Sequence, residues 1–145
     1  MTKDFSKNTV FKLHEIVFIM DCYANKILQD KFQINYNEFL ILKLLNTCPN
    51  FTQQNLANAL RLGRSAISQR ISKMQSKNLL NKKIKETSKR ENQLTLSEQG
   101  RAKLEEASQM LIDYSEILFK KIKKYRNELD LSLDILLDSL KEKEK

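Results

Sequence analysis

The sequence predicts a mainly α-helical fold carrying one small β-hairpin. Three observations lead there. The 145 residues include only two glycines and one proline, too few for an architecture built on many tight turns. Apolar residues recur at helical spacing along most of the chain. Two short stretches, Leu79–Ile84 and Gln93–Leu96, instead show alternating or β-compatible residues around a polar, charged segment, Lys85–Asn92, which reads as a hairpin with a charged tip. The length suits one domain with a buried core, and no Gly- or Ser-rich linker divides residues 1–145.

The first element is a long helix over Phe5–Phe32, with apolar residues at Leu13, Ile16, Val17, Met20, Ala24, Ile27 and Leu28. Val10, Phe11, Phe18, Ile19 and Tyr23 fall off that stripe. A helix apolar on two faces needs two partners, and a second subunit is a natural source of one. A second helix begins at Asn35, with Glu38 three residues on as a capping box. It ends before Pro49, which disfavours helix at Cys48. Thr52 caps a third helix carrying Leu56, Ala57 and Leu60. After a break at Gly63 and Ser65, a fourth carries Ile67, Ile71 and Met74. Asn78 can take the left-handed conformation that closes it. Beyond the hairpin, Ser97 caps a long helix with apolar residues at 104, 107, 111, 114, 118, 122 and 125, near a heptad seam. A final helix carries Leu129, Leu133, Leu136, Leu137 and Leu140.

Charge is distributed unevenly over these elements. Arg61–Arg90 holds ten basic side chains against one acid, Glu86, whereas the rest of the chain has sixteen basic and seventeen acidic residues. Such a stripe is the footprint of a polyanion partner. The third and fourth helices read as a helix-turn-helix: Ala57 permits close crossing, and Leu56, Leu60, Leu62 and Ile67 fill the gap. The outer face of the fourth helix then carries Arg64, Ser65, Ser68, Gln69, Ser72 and Lys73, hydroxyls, an amide and cations suited to base edges and phosphates in a major groove. Thr52 and Gln53, at the start of the third helix, can offer backbone amides to a phosphate.

In order along the chain, Gln53-Gln54-x-Leu56-Ala57-x-x-Leu60, Ser65-Ala66-Ile67-Ser68, Lys77-Asn78-Leu79-Leu80 and Leu94-x-Leu96-Ser97-x-x-Gly100 resemble the MarR (multiple antibiotic resistance regulator) family from about Asn35 to Gly100. The resemblance implies a winged helix-turn-helix lobe at about 35–100 and N- and C-terminal dimerisation helices at about 5–32 and 101–143. The recognition helix would be Gly63–Lys77 and the wing about Lys82–Leu94. The family's wing usually carries Asp-x-Arg, its arginine entering the minor groove. Here that place holds Ser88-Lys89-Arg90, so the arginine is present and the aspartate is not. Asn78 stands where a glycine is common.

This reading gives a homodimeric, sequence-specific regulator of transcription, acting as a repressor relieved by a signal and docking in successive major grooves of a pseudo-palindromic operator in double-stranded DNA. Specificity would come from Arg64, Ser65, Ser68 and Gln69. Affinity would come from Lys73, Lys82, Lys83, Lys89 and Arg90. The family also often binds a small amphipathic or aromatic effector, for which Phe11, Phe18, Tyr23, Phe39 and Tyr114 are the candidates. Cys22 invites comparison with the family's oxidant sensors, but it follows an acid, Asp21, unlike the electropositive settings of reactive thiols. A packed, inert cysteine is the plainer reading. His14 is the single histidine, and with two scattered cysteines it makes no metal-ligand set. No cofactor is expected.

The alternative is a non-specific, architectural nucleic-acid-binding protein, which shares the basic stripe but not a preference among duplexes. An enzyme is disfavoured: the sequence has no phosphate loop, no nucleophile–base constellation and no second histidine. The polar start at Met1–Val10 lacks the apolar core of a signal peptide, and no apolar run is long enough to span a bilayer. A cytoplasmic protein is expected, with no membrane partner.

Overall fold

The structure, a computed structural model, describes residues 8–49, 51–84 and 92–143. Six α-helices and two strands follow in order: α1 (Thr9–Phe32), α2 (Tyr36–Thr47), α3 (Gln53–Leu60), α4 (Arg64–Ser76), β1 (Leu80–Ile84), β2 (Asn92–Leu96), α5 (Glu98–Phe119) and α6 (Arg126–Glu142). A 3₁₀ segment, Lys120–Tyr125, separates the last two. The chain divides into two compact units, Met1–Gln109 and Met110–Lys145.

In the first unit the helices start where side chains can accept their free amides. Asn8 caps α1 by accepting from the Val10 N–H. The helix described begins at Thr9; Phe5, where the sequence placed its start, lies outside the described residues. At α2 the capping box is complete: the Glu38 N–H donates to Asn35 Oδ1 and the Asn35 N–H donates to Glu38 Oε2, both at 2.9 Å. Thr52 and Asn55 build the same box on α3.

The helix ends share a device that the sequence revealed only once. Gln33, Arg61 and Asn78 all take left-handed backbone, with φ of 57°, 51° and 55°. After each, the next residue's N–H reaches back to a carbonyl in the last turn: Ile34 to Leu28, Leu62 to Ala57 and Leu79 to Met74. This is the Schellman closure, in which the residue after the left-handed one is apolar and packs back on the helix. Ile34 and Leu79 are accordingly buried.

The core gathers Leu28 and Phe32 from the end of α1, Ile41, Leu42 and Leu45 from α2, and Leu56 and Ala57 from α3. It is completed by Ile67, Ile71 and Met74 from α4, Leu94 from β2, and Leu104 and Ala107 from α5. The strands pair antiparallel, from Leu80 opposite Leu96 to Ile84 opposite Asn92. The hairpin is fixed to the helices by a bridge between Thr52 and Gln93 and by the Leu94 N–H donating to the Phe51 carbonyl at 3.4 Å.

The Leu-Ser-x-x-Gly sequence has a clear job in this packing. Ser97 Oγ accepts from the Gly100 N–H and donates to the Asn78 carbonyl, while the Ser97 N–H donates to the Leu79 carbonyl. The first turn of α5 is thereby drawn against the end of α4. A Cβ at Gly100 would run into the Leu79 carbonyl.

In the second unit, the heptad expected to run through residue 125 is interrupted. Ile122 leaves helical geometry (φ −112°, ψ 16°), so Ile122 and Tyr125 lie on the 3₁₀ segment and not on a continuous seam. The break is braced by Arg126, whose Nη1 donates to both carboxylate oxygens of Glu116 at 2.8 Å and whose guanidinium stacks over Phe119. Among the described residues, no helix is long and apolar enough to cross a membrane.

The two glycines give a direct check on this packing. Gly100→Ala is expected to cost about 1–3 kcal/mol, the usual price of forcing extra volume into a filled site. Gly63→Ala, with open space around its Cβ position, should change stability by less than about 1 kcal/mol, since the poorer helix cap is offset by lost freedom in the unfolded chain. Denaturant midpoints of the two variants measure the difference, and equal midpoints would refute the close approach of α5 to Leu79.

Candidate nucleic-acid interface

The orientation of α4 follows from three residues. Ile67, Ile71 and Met74, at 0–2 % exposure, form one stripe at i, i+4 and i+7, which turns the opposite face outward. On that outward face lie Arg64, Ser65, Ser68, Gln69, Ser72 and Lys73, all exposed. Arg64 opens the helix and Gly63 precedes it without a side-chain cap. The start of α4 thus presents backbone amides with a cation beside them. The recognition-helix residues singled out in the sequence are brought together on one surface.

Thr52 and Gln53 begin α3 and are half-buried. Thr52 Oγ1 is engaged locally, accepting from the Asn55 N–H at 3.1 Å and donating to Asn55 Oδ1 at 2.7 Å. Lys82 is exposed on β1. Lys83 pairs with Gln93 through the strand register, but its side chain lies outside the described residues, as do Lys89 and Arg90 entirely.

The basic segment does not form a single outward stripe. Lys73 on α4 and Lys77 just past its end gather around the buried Glu38 of α2, while Arg70 Nη1 donates to the Ala66 carbonyl. Lys73 Nζ is 3.3 Å from Oε1 and Lys77 Nζ is 3.7 Å from Oε2. Lys77 Nζ also donates to the Gln33 carbonyl, and Lys103 Nζ donates to the Phe32 carbonyl at 2.7 Å. Two ammonium groups therefore cap the negative end of the α1 dipole. A cavity of about 250 Å³ opens here, lined by Asn35, Glu38, Ala66, Gln69, Arg70 and Lys73. Sequence reasoning saw Glu38 only as a capping residue. Its role toward α4 is tertiary and leaves no local signature.

Of the aromatics named for an effector cleft, Phe39 is in the core at 7 % exposure, stacked on Tyr36 at 6.3 Å. Its place on α2 faces inward. Phe11, Phe18 and Tyr23 are exposed along α1, and Tyr114 lies in the second unit. Cys22 is exposed rather than packed, and Cys48 is partly covered. The described residues contain no group of three or more His, Cys, Asp or Glu placed to hold a metal.

Residues 34–92 match the model of the MarR family. Solved structures of the same fold include MepR, a transcription regulator of the Staphylococcus aureus multidrug efflux pump MepA. Its TM-score is 0.78 at 18 % identity, over 92 % of this chain and 98 % of that one. BldR from Sulfolobus solfataricus aligns with a TM-score of 0.74 at 22 % identity, over 95 % and 99 %. The transcriptional repressor CouR, bound to a 23-mer DNA duplex, aligns at 0.79 and 18 %, over 95 % and 97 %. The winged-helix fold is shared with all three. No curated protein matches the chain.

The facing of α4 is open to direct measurement. Ser65→Ala, Ser68→Ala and Gln69→Ala should each leave folding stability within about 0.5 kcal/mol. Ile67→Ala, one face away, should cost about 2–5 kcal/mol. Chemical denaturation reads both, and a large loss for Gln69→Ala would mean that the helix faces the other way.

Proposed function

For a chain whose residues 34–92 match the MarR family model, we propose a homodimeric, sequence-specific DNA-binding regulator of transcription, a repressor released by a signal. The observation that carries this reading is the outward face of α4. Arg64, Ser65, Ser68 and Gln69 are short or hydrogen-bonding groups, unburied and aligned on a helix that the core holds rigidly. Arginine and glutamine offer bidentate contacts to guanine and adenine edges, and serine adapts to either. Lys82 and Lys83 on the wing, with Lys89 and Arg90 beyond them, supply phosphate contacts. So does the start of α3 at Thr52 and Gln53.

The dimer is supported by apolar surface that a single copy leaves uncovered. Ile16, Val17, Phe18 and Ile19 are 45–69 % exposed on α1, and Leu131, Ile135, Leu136 and Leu137 are 45–62 % exposed on α6. The four on α1 are consecutive and so point to every side of that helix, while Leu131 and Ile135 on α6 lie one turn apart; apolar surface exposed in this way suits a second helical surface. Two copies would carry two recognition helices to half-sites about 34–36 Å apart. An effector that changed this spacing would release DNA. Phe11, Phe18, Tyr23, Phe39 and Tyr114 are its proposed contacts, and the protein would act in the cytoplasm.

Selection from a random duplex pool tests the reading. It should return a pseudo-palindrome, bound by a particle of twice the 17.1 kDa chain mass in light scattering. Log affinity should fall steeply with log salt, by about 0.9 per phosphate contact. Gln69→Ala should relax base preference at one position in each half-site, at about 1–3 kcal/mol of lost discrimination. Lys82→Ala should weaken all duplexes alike. Enrichment of no sequence would favour the architectural alternative, and a stable monomer would refute the dimer.

A further inference from the structure

Glu38 is fully buried, at 0 % exposure, on the first turn of α2. A buried carboxylate is costly unless its charge is matched and its lone pairs are satisfied. Oε2 accepts from the Asn35 N–H at 2.9 Å. Oε1 has no hydrogen-bond partner among the described residues, and its compensation comes from the Lys73 ammonium at 3.3 Å. Lys73 is thus drawn toward the protein although its side chain is 58 % exposed. It stands beside Ser68, Gln69 and Ser72 on α4, where a phosphate could otherwise claim it. Lys77 is differently placed: the Gln33 carbonyl holds it whether or not Glu38 is charged.

A cation already neutralised by a carboxylate releases no further counterions when DNA arrives. The same ion pair ties the last turn of α4 to the capped start of α2.

Resting on the DNA-binding reading above, we propose that Glu38 is a positioning residue for the recognition helix. It holds Lys73 as a structural cation, so that Lys73 contributes to register and not to phosphate binding. The expectation that Lys73 is one of the affinity-giving lysines is thereby revised.

The test is a cycle of Lys73→Met, Glu38→Gln and the double variant, each titrated with the selected duplex and a shuffled one over a range of salt. Lys73→Met should leave the log–log salt slope within about 0.3 of wild type, against the change of about 0.9 that loss of one phosphate contact gives. Its ratio of selected to shuffled affinity should fall several-fold. Lys73→Arg, which can still reach the carboxylate, should restore that ratio. Glu38→Gln should free Lys73 and steepen the slope by about 0.9, and adding Lys73→Met should return it to the wild-type value.

A slope loss of about 0.9 for Lys73→Met in the wild-type background would overturn the proposal and make Lys73 an ordinary phosphate contact. That arm decides the matter even if Glu38→Gln does not fold. Wild-type protein with no salt-dependent duplex binding would overturn the DNA reading itself, and this role with it.

Discussion

The structure depends on how α4 is seated. Ile67, Ile71 and Met74 occupy one side of a 13-residue helix and are essentially removed from water. Each such side chain contributes about 1.5–3 kcal/mol when buried, enough together to leave the helix one stable rotation about its axis. Everything polar on the other side is then presented by default. Capping at either end only refines a placement that the apolar stripe has set. The Ser97–Gly100 contact with Asn78 and Leu79 fixes the far end of α4 against α5, and Glu38 ties the same last turn to the start of α2 through Lys73.

Electrostatics adds a division of labour. Arg64 and Lys82 extend into solvent, while Lys73 and Lys77 turn toward one buried acid. A net charge summed along the sequence cannot distinguish these populations, because both come from the same segment at helical spacing. The near-neutral total of the remaining chain hides a further contrast. Lys120, Lys121, Lys123, Lys124 and Arg126 crowd the 3₁₀ segment and its exit, and α6 follows with Glu128, Asp130, Asp134 and Asp138. Two opposite clusters cancel in the sum and remain separate in the second unit.

Much of the fold was legible in the residues. Asn35 with Glu38, Thr52, Asn78 and the spacing of Ile67, Ile71 and Met74 carry local signals that survive folding unchanged. The hairpin strands and the outward face of α4 followed from them. What the sequence hid has physical causes. Gln33 and Arg61 turn left-handed because Ile34 and Leu62 gain packing by folding back, a preference that neither residue type announces. Lys120–Tyr125 contains no glycine or proline, so nothing local marks the interruption that Arg126, Glu116 and Phe119 stabilise. The inward facing of Phe39 was equally hidden, because aromatics serve both cores and ligand sites and only packing on α2 shows which way the ring points.

The outward face of α4 is the surface proposed to meet DNA. Backbone amide chemical-shift mapping during titration with a selected duplex is the sharpest check. The largest changes are expected along Arg64–Lys73 and at the start of α3, with the Lys120–Arg126 cluster little affected. Perturbations centred on Lys120–Arg126, with α4 unmoved, would contradict it.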